Sequence, residues 1–224
     1  MLIGKKLIFV HHPRTGGMSV RAYLKRAVPD RYFPEADPGL DDQKKAWLMH
    51  QGLEVCFQYA NRLGIDPFQV PVLVCIRNPY SLALSGYLYL QQRFGHSLGE
   101  KEHSFAAYLE NKMSEMDEEL LERRAAAQYG PFSHYLTLGG DIIPDNLTIA
   151  RTESLADDVE AFLKDRIGVK APRGFPRKNT TRHEHFSKYY GAEEEEIVYR
   201  LYRNVFDSGL YGRKSGLTHT SGGD

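Results

Sequence analysis

The sequence is poor in cysteine, in tryptophan and in long apolar runs, and it carries no net charge. Its 224 residues include two cysteines, Cys56 and Cys75, each inside an apolar stretch. That number excludes a disulfide-rich scaffold and a thiolate metal framework. The pair reads as packed thiols in a reducing compartment, with a bond between them left open. No stretch approaches the roughly 20 apolar residues of a membrane helix. The apolar run in "MLIGKKLIFVHHP" is far shorter than the about 7 to 15 residues of a signal-peptide core. The expectation is a soluble, cytoplasmic protein without membrane insertion. Lys and Arg total 29 against 29 Asp and Glu, so there is no overall basic field for nucleic acid or a membrane surface. Any anion site must be local.

What is present is a hydrophobic content of 42%, ample for one buried core. A single domain over residues 1–214 is expected, followed by a small, polar, disordered tail at 215–224. "KLIFVH" (6–11) is a short β-branched and aromatic run that ends in "HPRTGG", and a helix at 19–28 follows with Val20, Tyr23, Leu24 and Ala27 on one face. "QGLEVCFQYANRLG" (51–64) has helical spacing and a Gly64 stop. "VPVLVCI" (70–76) is a continuous apolar run, the pattern of a strand buried on both faces, and a helix at 82–94 follows. Residues 104–128 read as a long charged helix, and 146–151 as a third strand. A helix capped by Ser154 with Asp157 comes next, and a last helix spans 192–206. Strands alternating with helices predict an α/β fold, a three-layer α/β/α domain around a mostly parallel sheet.

"FVHHPRTGGMSV" (9–20) has the strand, glycine loop and helix of a phosphate site. Set against the ATP loop G-x-x-x-x-G-K-[ST], the first glycine becomes His12, the second is Gly17, the lysine is Met18 and the hydroxyl is Ser19. The available cation is Arg14, at the front of the loop. The strand end that would carry a magnesium-binding aspartate reads "VCIRNP", with Arg77 there instead. Both departures agree with transfer of a sulfuryl group, which carries one negative charge and can be moved by fixed donors without a metal. Amides from Thr15 to Ser19 at a helix N-terminus supply such donors. The plain alternative is a turn with a solvated arginine.

These segments resemble the sulfotransferases that use 3′-phosphoadenosine 5′-phosphosulfate (PAPS), in particular the carbohydrate enzymes related to the heparan sulfate 2-O and 6-O sulfotransferases. "IFVHHPRTGGMSV" looks like their 5′-phosphosulfate loop, and "VLVCIRNPYSLALSGY" like their 3′-phosphate motif, with Arg77 at the strand end and Ser85 eight residues later. "LTIARTESLADDVEAFL" and "EEEEIVYRLYRNVFDSGLYG" are similar to later family segments, so the likeness runs over most of residues 6–212. It implies a P-loop-like fold, PAPS as donor and no metal. It implies further that Arg14 stands for a lysine beside the bridging oxygen, and that Thr15, Gly16, Gly17, Met18 and Ser19 line the phosphosulfate site. Arginine's planar fork does not duplicate a lysine, and Met18 replaces a usual threonine.

Transfer to an alcohol needs a proton acceptor, and histidine suits the task. Candidates are His11, His12, His50, His96, His103, His134, His183 and His185. His50, in "LMHQGLEV", matches the place of the family's base; the alternative is a packing or capping histidine. Strand alternation sends His11 and His12 to opposite sides, so at most one faces the loop. "HEH" (183–185) lacks a ligand framework and reads as solvated. In "PRGFPRKNTTRHEH", Arg177, Lys178 and Asn179 resemble a late loop that closes over the cofactor, or else form a solvated basic loop. Tyr87, Tyr89 and Phe94 read as core, while Arg93 and 96–103 border an acceptor cleft. The expected acceptor is a carbohydrate or glycoconjugate; a homo-oligomer is left open. The rivals are a nucleotide kinase or triphosphatase and a non-catalytic nucleotide-binding protein.

Overall fold

β-branched and aromatic side chains fill both faces of a sheet, and the apolar runs form its centre. The computed structural model describes residues 1–94, 104–114, 127–178 and 184–213. Strands β1 (Leu2–Ile3), β2 (Leu7–Val10), β3 (Tyr32–Phe33), β4 (Val72–Ile76) and β5 (Leu147–Arg151) form one sheet in the order β3-β1-β2-β4-β5. β2 runs parallel to β4 with Val10 opposite Val74, and β4 runs parallel to β5 with Ile76 opposite Arg151. β1 is antiparallel to both β2 and β3, so the α/β fold has a mixed sheet and not the mostly parallel one expected. Strands of two residues leave no periodicity to read. The β1–β2 turn depends on Gly4, whose φ of 54° lies in the left-handed region.

The helices in chain order are α1 (Gly17–Ala27), α2 (Asp42–Met49), α3 (Leu53–Arg62), α4 (Pro79–Phe94), α5 (Phe105–Ser114), α6 (Ser133–Leu136), α7 (Leu155–Phe162), α8 (Ala192–Leu201) and α9 (Arg203–Asp207). Residues 1–77 with 132–180 form one compact unit, and 78–131 with 181–224 form another. The first contains the whole sheet. α1 buries Val20, Tyr23 and Leu24 in a core with Phe9, Leu73, Val159 and Phe162. Side chains of this size contribute about 1.5 to 3 kcal/mol each on full burial. Cys56 and Cys75 are both free, buried thiols.

In the second unit α4 buries Tyr80, Leu82, Ala83, Leu84 and Ser85. The Tyr190 hydroxyl donates to the Tyr80 carbonyl at 2.6 Å, and Tyr87 packs on Phe105 at 5.4 Å, as a core residue should. Phe94, by contrast, is exposed. Arg93 donates to the Tyr89 hydroxyl at 2.9 Å. The helix expected over 104–128 is described from Phe105 to Ser114, and 115–126 lie outside the described residues, as do 95–103 and 214–224. The last predicted helix is two, α8 and α9, separated at Tyr202. The expected Ser154–Asp157 capping pair is replaced: Ser154 Oγ and the Arg151 amide both donate to Asp158 Oδ2, at 2.9 and 2.7 Å. Ser154 is the N-cap of the helix as expected, but its side chain makes no capping bond, and a short 3₁₀ turn at Thr152–Ser154 precedes it. No described helix is long and apolar enough to cross a membrane.

Candidate anion site at the sheet end

Of three parallel neighbours, β4 and β5 end level and β2 ends two residues earlier, and the segments beyond them meet. The chain leaves β2 through His11 to Gly16 and enters α1 at Gly17. Two residues in this loop are left-handed, Arg14 at φ 66° and Gly16 at φ 80°. Glycine adopts such a turn freely. Arginine does so at a cost of about 1 kcal/mol or more, which surrounding bonds must offset. Those bonds are present. Arg77, one residue past β4, donates from Nη1 to the Arg14 carbonyl at 3.2 Å. Thr152, one residue past β5, has its hydroxyl 3.0 Å from the Thr15 carbonyl and 2.9 Å from the Ile76 carbonyl. Thr15, fully buried, donates its own hydroxyl to the His12 carbonyl at 2.8 Å.

At the start of α1 the Ser19 and Val20 amides both donate to the Gly16 carbonyl. Ser19 Oγ accepts from the Lys178 amide at 2.9 Å. Lys178 arrives there because residues 170–178 lie along α1. The Tyr23 hydroxyl is 2.7 Å from the Pro172 carbonyl and 2.8 Å from Glu160, and its ring packs on Phe175 at 4.8 Å. Arg26 donates to the carbonyls of Arg173 and Gly174. The side chains of Arg177 and Lys178 are exposed, and Asn179 lies outside the described residues. Met18 is 40% exposed on the first turn of α1.

His11 and His12 take opposite sides of the strand end, as alternation requires. His11 is the one beside the loop. Its ring stacks on Phe9 at 5.6 Å, tilts against His50 at 4.4 Å and presses on Gly17, where any Cβ would collide with it. Burial, with His50, the N-terminal ammonium and Arg21 nearby, pushes its pKa down to about 3, so the ring is neutral. His50 caps the C-terminus of α2 with its ring partly in solvent, beside the His11 backbone. Burial of its inner face, with Arg21 nearby, lowers its pKa as well. A ring whose pKa is lowered from 6.5 is a neutral imidazole at pH 7, able to take a proton.

His12 faces away, stacked on Tyr135 at 4.1 Å and edge-on to Phe132 at 5.2 Å. Burial also takes its pKa to about 3, and its Nδ1 has no hydrogen-bond partner. His134 packs on Gly52, the N-cap of α3, and His185 bonds Ser187. His96, His103 and His183 lie outside the described residues. Ser85 is buried on α4, in the second unit. Among the described residues no three His, Cys, Asp or Glu side chains converge as metal ligands.

The loop, Arg14, Arg77 and the Lys178 backbone are thus one constellation, with His50 joined to it through His11. Thr152 is the member that sequence reasoning missed. Its one signal is its place immediately after a parallel strand, level with the loop. No protein-family model, curated protein or solved structure matches this chain.

Proposed function

We propose that the protein is a sulfotransferase that moves a sulfuryl group from PAPS to a hydroxyl, on a carbohydrate or glycoconjugate, and that its sheet belongs to a three-layer, P-loop-like fold. One observation carries the reading. Arg77 is hydrogen-bonded to the Arg14 backbone at the ends of adjacent parallel strands, beside a glycine loop that opens into α1. Ligands of parallel sheets bind outside the carboxyl ends of the strands, and helix N-termini favour anions. The donors gathered there are amides and guanidinium groups, and residues 11–19 contain no carboxylate to hold a metal. That set fits a phosphosulfate.

When bound, the nucleotide supplies an activated sulfuryl group on a phosphate leaving group. Arg14 and the amides of Thr15, Gly16, Gly17 and Met18 hold the 5′ end and stabilise charge on the departing phosphate. Arg77 recognises the 3′-phosphate, a role the sequence resemblance shares between it and Ser85. Arg177, Lys178 and Asn179 serve the outer face of the nucleotide. His50 takes the acceptor's hydroxyl proton on its ring, and its lowered pKa keeps the ring neutral and available at neutral pH.

Calorimetric titration with 3′-phosphoadenosine 5′-phosphate (PAP) in the absence of magnesium tests the site. Transfer of label from PAPS into cell-extract acceptors tests the reaction. The expected result is metal-free PAP binding and a labelled glycan product, with His50→Ala retaining PAP affinity and losing transfer. Absence of PAP binding, or magnesium-dependent ATP turnover, would overturn the assignment. PAP binding without transfer to any acceptor would make the chain a nucleotide-binding protein.

A further inference from the structure

We infer that Thr152 is a positioning residue that aims the loop's anion-binding amides from behind. The inference rests on the reading of this loop as a phosphosulfate cradle, and it concerns how the cradle gets its direction. A trans peptide points the carbonyl of one residue and the N–H of the next in opposite directions. The peptides of this loop are trans. The Arg14 carbonyl is drawn to Arg77, and the Thr15 carbonyl to Thr152. The N–H groups of Thr15 and Gly16 therefore face away from both braces. Two carbonyls held back against the sheet end are the cause of two amides held forward.

Thr152 reaches this position by register. Arg151 is the residue of β5 opposite Ile76, the last residue of β4, so the next side chain stands one step past both strands. Its hydroxyl lies within bonding distance of the Thr15 and Ile76 carbonyls and has one hydrogen to share between them. Thr152 thus ties the loop to the end of β4, one residue before Arg77. The left-handed Arg14 is explained by the same bonds. A non-glycine residue stays there only where its surroundings over-determine it, and braces on the carbonyls of residues 14 and 15 do so. Valine at 152 would keep the shape and lose the donor; serine would keep the donor.

Amide ¹H–¹⁵N spectra and ligand titrations of Thr152→Val and Thr152→Ser decide the matter. In the valine variant the Gly16 cross-peak moves and PAP affinity falls about five- to tenfold, the scale of one lost hydrogen bond. Adenosine 3′-monophosphate, which has no 5′ group for the loop to hold, binds as before. The serine variant matches wild type in all three measurements. Unchanged PAP affinity with an unmoved Gly16 amide would overturn the inference. So would an equal loss for both ligands, or a serine variant as weak as the valine one. If wild type binds no PAP, the sulfotransferase reading fails, and the Gly16 cross-peak alone still decides whether Thr152 directs that amide. Should the valine variant not fold, Thr152→Ala against Thr152→Ser reads the same hydroxyl.

Discussion

Acid should destabilise this protein at a pH where its carboxylates are still ionised. His11 and His12 are 5% and 8% exposed, and burial holds each pKa near 3 against an ordinary 6.5. His50, the N-terminal ammonium and Arg21 act on His11 in the same direction, and His134 acts so on His12. Between pH 6.5 and about 3 the unfolded chain binds protons that the folded chain refuses. The stability from these two rings is therefore complete above the unfolded value and is lost as pH falls through the window. At about 1.4 kcal/mol per unit for each group, a drop from pH 7 to 5 removes about 2 kcal/mol per ring, or about 4 kcal/mol for the pair. Glu35 does not contribute there. Burial raises its pKa, but hydrogen bonds from Arg21 and Lys25 outweigh that and place it below 4.5. Urea unfolding followed by circular dichroism at pH 7, 6 and 5 measures the loss. His12→Gln, which removes one of the two largest shifts, should show a clearly smaller pH dependence than wild type. A wild-type stability that is flat from pH 7 to 5, or a variant with the full slope, would refute the assignment of neutral buried imidazoles.

Other substitutions test the loop and its supports. Gly17→Ala places a methyl into the His11 ring, which Phe9 and His50 flank, so it should lower stability by about 1 to 3 kcal/mol in thermal unfolding and weaken PAP binding. Arg14→Gly relieves the left-handed strain of about 1 kcal/mol, so the melting temperature should hold or rise while transfer falls on the order of 10²- to 10³-fold, the usual loss for a transition-state donor. Tyr23→Phe removes the hydroxyl that meets Glu160 and Pro172, at a cost of about 1 to 2 kcal/mol. Native-state trypsin should then cut faster at Arg173, Arg177 and Lys178.

The centre of the sheet was legible because "LIFV" and "VLVCI" are buried on both faces, and burial of that kind leaves an unbroken apolar run. The edge was not. β1 and β3 are held by pairing and by the Gly4 turn, so nothing in two residues announces them. The positions of Arg77 and Arg14 were legible, Arg77 because the apolar run of β4 stops before it and Arg14 because the strand, glycine loop and helix pattern puts it in the loop. Strand alternation foretold that His11 and His12 would part, but which of them met the loop depended on packing with Gly17 and His50. Ser154 was legible as the N-cap, but its partner was not: the hydroxyl turns to Asp158 in place of Asp157, a choice of one carboxylate over its neighbour that spacing alone does not make. Thr152 had no pattern at all. Its place comes from β4 and β5 ending level beside the loop that leaves β2, a property of register that no local window contains.

On the proposed reading of the loop as a phosphosulfate cradle, methionine at 18 leaves more of the anion binding to the backbone than the usual threonine does. Arg14 is committed to a left-handed turn, and Met18 has no hydroxyl and sits 40% exposed on the first turn of α1. What remains constant at the loop is the set of amides, and their direction is set by groups behind them, Arg77 and Thr152. A site built this way should tolerate change at Met18 and weaken when a brace behind its amides is removed. Met18→Ala leaves the amide in place and should change PAP affinity by less than about twofold, against the five- to tenfold loss of one brace hydrogen bond. Measuring both variants in one titration series separates the two designs. A Met18→Ala loss equal to that of Thr152→Val would mean that the thioether itself touches the ligand, and that the loop binds by its side chains after all.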